Sequence, residues 1–96
     1  MIVNSKTFNE LSIKYSPLIK WLIESDQIYT HIDTRIRWMF GWDKNVAITA
    51  TVDRNNNDLS VNVLFVDDAY NNNRVFDIEY FLLHEMRHIY QHNQII

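Results

Sequence analysis

"VAITATVDRNNNDLSVNVLFV", residues 46–66, decides how the rest of the chain is to be read. On either side of the polar RNNND, apolar and polar residues alternate. Successive side chains of a strand point to opposite faces. Val46, Ile48, Ala50 and Val52 therefore share one face, as do Leu59, Val61, Val63 and Phe65. Two such runs around a short polar turn predict an antiparallel hairpin of strands 46–53 and 59–66. A two-stranded ribbon is at best marginally stable alone, so neighbouring elements must cover its apolar face.

Upstream, Ile28, Thr30, Ile32, Thr34, Ile36, Trp38 and Phe40 alternate with Tyr29, His31, Asp33, Arg35 and Arg37. This β-branched, period-two run predicts a third strand, leading through the GWDKN turn into the hairpin. The isoleucines at 28, 32 and 36 also keep a helical spacing, and helix is the competing reading. Residues 5–25 read as helical. Thr7 and Glu10 have capping-box spacing, and Ser16-Pro17 looks like a second helix start, so a helix pair broken near Ser16 is expected. After the loop DDAYNNNR, a last helix is expected from about Arg74, with Asp77 and Glu79 complementing its N-terminal dipole. The predicted class is α+β: an N-terminal helix or helix pair, a three-stranded antiparallel meander and a C-terminal helix, in one domain over residues 1–96.

Composition bounds the function. The 96 residues are 47% hydrophobic and 14% aromatic, enough for a core without staples, and Trp21, Trp38 and Trp42 are expected within it. No cysteine is present, so disulfides and cysteine-based zinc knuckles are excluded. No run approaches a membrane span and no secretory leader is legible, which predicts a cytoplasmic protein without membrane association. A formal net charge of −3 argues against nucleic-acid binding, and Arg35, Arg37 and Lys44 read as a solvated basic spot.

The chemistry-bearing stretch is FLLHEMRHIYQHNQII, residues 81–96. At about 100° per residue, His84 and His88 stand one turn apart on one side of a helix, where two imidazoles can converge on one tetrahedral zinc ion. Glu85 is turned toward one flank, within reach of a metal-activated water without ligating. It is the expected general base for amide hydrolysis. Ile78, Leu82, Leu83, Met86, Ile89 and Tyr90 form the opposite, packing stripe. Tyr80 and Tyr90 are expected as packing or rim residues. Arg87 and Gln91, four apart, can interact along the helix, and Gln91 could support a histidine.

HEMRHIYQ resembles the active-site helix of zincin metallopeptidases, in the H-E-x-R-H-x-x-Q variant of small bacterial and phage proteins. The order helix, strands, H-E-x-x-H helix is similar to the minimal core shared by small gluzincins and by ImmA/IrrE-type and SprT-like proteins. The resemblance implies a Zn2+ cofactor held by His84 and His88, Glu85 as general base, and a protein or peptide substrate. It also implies that the edge strand beside the cleft binds the substrate backbone, for which residues 59–66 are the expectation. Zincins need a third protein ligand, normally C-terminal to the motif. The choices are His92, Asp67, Asp68, Asp77, His31, a partner chain, or a segment beyond Ile96 if the chain is cut short. Oligomeric state is not legible. The competing function is a non-catalytic interaction or regulatory module on a degenerate zincin scaffold.

Overall fold

A computed structural model describes residues 5–29, 32–39, 43–52 and 57–95. The protein is α+β, with helix α1 (Ser5–Ser25), strands β1 (Arg35–Met39), β2 (Ile48–Val52) and β3 (Asn57–Asn62), and helices α2 (Val63–Asn71) and α3 (Val75–Ile95). Trp42, His31, the turn glycine and most of RNNND lie outside the described residues.

The hairpin forms as expected, with β2 antiparallel to β3 and Ile48 opposite Val61, Ala50 opposite Leu59. The third strand does not complete a meander. The sheet order is β1-β3-β2, and β1 runs parallel to β3 on its far side. Alternation states which face a side chain takes, not which strand lies next to it, and here a buried charge favours the neighbour. Asp58 of β3 is 4% exposed. It sits opposite Arg35 and accepts from Arg35 Nε at 3.0 Å and Nη2 at 2.8 Å, with Arg37 Nη1 at 3.6 Å. A buried carboxylate needs such partners. The arginines that read as a solvated basic spot therefore serve Asp58, and Lys44 likewise pairs with Asp68.

The first strand is also shorter than its pattern. The Asp26 carboxylate accepts the amides of Ile28 and Tyr29, a local turn that competes with extended pairing, and β1 starts only at Arg35. Within the first helix the break expected near Ser16 is absent. α1 starts by Ser5, so Thr7 is inside the first turn, and it runs through Pro17 without interruption. Its apolar face spans that point, with Tyr15, Ile19 and Leu22 buried and Leu11 and Leu18 packed beside them. Burial of this face outweighs one missing backbone bond, and Pro17 and Ile13, whose carbonyl loses its partner, lie on the exposed side.

Residues 63–66, expected as strand, and the expected loop after them are instead helix α2. Asn62 makes the switch. Fully buried, it accepts the Leu64 amide at 3.1 Å as N-cap. Its amide group donates to the carbonyls of Asp43 at 2.8 Å and Val46 at 2.7 Å, holding the segment that passes the end of β3 on its way to β2. Asn73, at φ 59°, ends the helix in the left-handed conformation that asparagine tolerates, and the Arg74 amide returns to the Ala69 carbonyl.

α3 begins within one residue of its expected start and lies on β2 and β3. Ile78, Leu82, Met86 and Ile89 of its apolar stripe are all fully buried. They meet Leu59 and Val61 of the sheet, Val66 and Ala69 of α2, and the α1 stripe in one core. Trp38 packs at the margin of that core. Trp21 does not belong to it, being 61% exposed.

Candidate functional site

The helical spacing of the H-E-x-x-H stretch is realised on α3, with the buried stripe on one side and both histidines on the exposed side. The two rings meet edge to face, 4.8 Å between centroids, and bring Nε2 of His84 and Nε2 of His88 to 3.3 Å. Two imidazole nitrogens bound to one tetrahedral zinc at about 2.0–2.1 Å are separated by about 3.3–3.4 Å. The observed separation matches that spacing, and it is equally the separation of an N–H···N hydrogen bond between the two rings.

Glu85 is half-buried on the flank facing β2, and its Oε2 accepts the backbone amide of Ala50 at 3.3 Å. This bond has a specific topological origin. In an antiparallel pair, alternate residues turn both backbone groups away from the partner strand. Since the Ala50 amide reaches Glu85, residue 50 faces outward, along the side of β2 opposite β3. β2, not residues 59–66, is the edge strand beside the histidine helix, because β3 is the central strand. The earlier expectation fails for this reason.

Ring contacts extend from the core to the pair. Phe65 of α2 meets Phe81 edge-on at 5.6 Å, and Phe81 meets Tyr80 at 5.2 Å. Tyr80 in turn stacks on His84, with centroids 6.2 Å apart and planes 18° apart. Tyr80 is thus a solvent-facing rim residue, 64% exposed, whereas Tyr90 is half-buried against Tyr29, 5.5 Å away. The helical spacing of 76, 80 and 84 was visible in the sequence as i, i+4 steps, but the continuity through Phe65 required α2, whose residues were read as the end of a strand and a loop.

The aspartates considered as ligands are engaged elsewhere. Asp67 accepts the Tyr15 hydroxyl at 2.6 Å. Burial first, and then the Asp67 carboxylate, push the Tyr15 hydroxyl well above the usual tyrosine range. Asp68 pairs with Lys44 and Arg74, and Asp77 with Arg74. His92 lies about 12 Å along the axis from His84, with its Nε2 shut off from solvent and without a hydrogen-bond partner. Among the described residues no group of three or more His, Asp or Glu side chains comes together to hold a metal. Also among them, no helix is long and apolar enough to cross a membrane. The chain matches no family model, no curated protein and no solved structure.

Proposed function

We propose that His84 and His88, completed by a third ligand from outside the described residues or from a partner chain, hold a zinc ion and that the protein is a zinc-dependent metallopeptidase acting on a protein or peptide inside the cell. The observation that carries this reading is the 3.3 Å separation of the two Nε2 atoms on an exposed helix face, beside a fixed carboxylate. A zinc ion supplies a Lewis acid for the amide carbonyl and acidifies water near neutral pH. Glu85 supplies the base. With Oε2 steered by the Ala50 amide, Oε1 is left to take a proton from water and return it to the leaving amine. The outward-facing backbone at Ala50 lies next to this carboxylate, where an extended substrate can align along β2.

Equilibrium dialysis with elemental analysis tests the metal. One zinc per chain is expected, lost in His84→Ala and His88→Ala and kept in Glu85→Gln. Glu85→Gln should lower peptide hydrolysis by about 10²- to 10⁴-fold. Absence of zinc binding at micromolar metal defeats the reading. Zinc bound by the wild type without hydrolysis of any peptide in a mixed library favours a regulatory module instead.

A further inference from the structure

The sequence placed Arg87 only as a neighbour of Gln91. The fold makes it unusual. Arg35, Arg37 and Arg74 each pair with an aspartate. Arg87 is exposed and, among the described residues, is the arginine without an acidic partner. Its place on α3 is specific. At about 100° per residue it stands about 80° round the helix from the midpoint of the histidine pair and at the same axial level. Glu85 stands about 80° round on the other side. The histidines are therefore flanked by a carboxylate toward β2 and a guanidinium toward open solvent. Asp77, further toward the start of α3, is held by Arg74.

Two aromatic rings continue the same face toward the helix N-terminus. Phe76 is 66% exposed and Tyr80 is 64% exposed, two turns and one turn before His84. Phe81 meets Tyr80 edge-on and the Tyr80 plane lies along His84, so the ring presents an apolar surface beside the histidine pair. Large apolar side chains aligned in solvent beside a polar site mark a binding surface more often than a scattered one does.

We infer that this face selects the substrate: Arg87 binds a carboxylate next to the scissile amide, while Tyr80 and Phe76 receive an apolar side chain. The inference rests on the metallopeptidase reading and gives it a substrate class, an anionic peptide with an aromatic or large aliphatic residue near the cut. A guanidinium offers a planar pair of donors to a carboxylate, and an unpaired one beside a metal site has no structural partner to give up. The carboxylate belongs either to a free chain end or to an acidic side chain.

Benzylsuccinate, a diacid with one phenyl ring, probes the surface without turnover. Calorimetry of the zinc-loaded chain should show binding that weakens about 10- to 100-fold in Arg87→Gln, with zinc affinity unchanged. Tyr80→Ala should weaken it as well, and replacing the second carboxylate of the probe by an amide should mimic Arg87→Gln. Peptides bound to zinc-loaded Glu85→Gln then separate the two sources. One peptide ends in phenylalanine with a free carboxylate, and the other is amidated with an internal aspartate beside the phenylalanine. Dependence on Arg87 for either names the source. If zinc binds but neither probe nor peptide responds to Arg87→Gln, this inference is wrong and the metal site stands. If no zinc binds, both readings fall.

Discussion

Asn62 concentrates three structural tasks in one buried side chain, and its replacement gives the sharpest test of the fold. Its Oδ1 caps α2 and its amide group donates to two carbonyls of the segment that carries the chain across the end of β3. Loss of an N-cap costs about 1 kcal/mol. Each lost hydrogen bond costs about 1 kcal/mol net, the Asp43 and Val46 carbonyls being near exposed residues that water can reach in part. Asn62→Ala should therefore destabilise by about 3 kcal/mol, a large share of the roughly 5–14 kcal/mol expected for a domain of this size. The corresponding fall in Tm is about 12–24 °C. Asn62→Asp separates the tasks. It keeps the cap and adds favourable charge at the helix start, but it turns a donor pair into acceptors facing two carbonyl oxygens. At neutral pH it should be at least as damaging as Asn62→Ala, and it should recover as acid restores a proton. Urea denaturation of both variants at pH 7 and pH 4.5 measures this. If Asn62→Asp matches the wild type at pH 7, or if Asn62→Ala loses less than about 1 kcal/mol, the crossing segment is not held as described.

Three further outcomes follow from single contacts. Pro17→Ala should stabilise the protein by about 1–3 kcal/mol, since it restores a backbone bond inside an uninterrupted helix, and denaturant midpoints would report it. The Tyr15 hydroxyl is held above its usual range, so the folded state keeps a proton that the unfolded chain releases near pH 10. Its contribution is complete below that pH and is lost as pH rises further; Tyr15→Phe should flatten the alkaline limb of a stability–pH curve. Arg35 first, and its charge with that of Arg37, hold the Asp58 carboxyl below its usual range, although burial opposes them. That stabilisation is present above the ordinary aspartate pKa of about 4 and disappears as pH falls through the lowered value. Asp58→Asn should remove this acid-side loss, as seen by circular dichroism between pH 5 and pH 2.

The candidate site was legible to the extent that it is local. His84, Glu85 and His88 lie within two turns of one helix, and the 3.6-residue period alone orders them around the axis. Ile78, Leu82, Met86 and Ile89 took the buried side because the same period separates them from the histidines. The partner of Glu85 was not legible. Ala50 is 35 residues away, and its role depends on which side of the hairpin stays unpaired. Arg87 appeared ordinary for a similar reason: whether an arginine is already paired depends on which aspartates the fold brings to it.

By itself, the sequence determined the α+β class, the antiparallel pairing of the hairpin though not the end of its second strand, the extent of α3 and the placing of both histidines on one side of it, because near-neighbour periodicity sets all four. Tertiary structure decided everything that required knowing a neighbour. It carried α1 through Pro17, since the stripe from Leu11 to Leu22 is worth more buried than one backbone bond is intact. It turned residues 63–66 from strand to helix, since Asn62 could cap and brace at once only there. And it set β1 beside β3, where Arg35 meets Asp58, leaving β2 as the edge that faces the histidine helix. A side-chain pattern records the face each residue prefers; the order of strands is fixed by which buried polar groups find partners when the layers close.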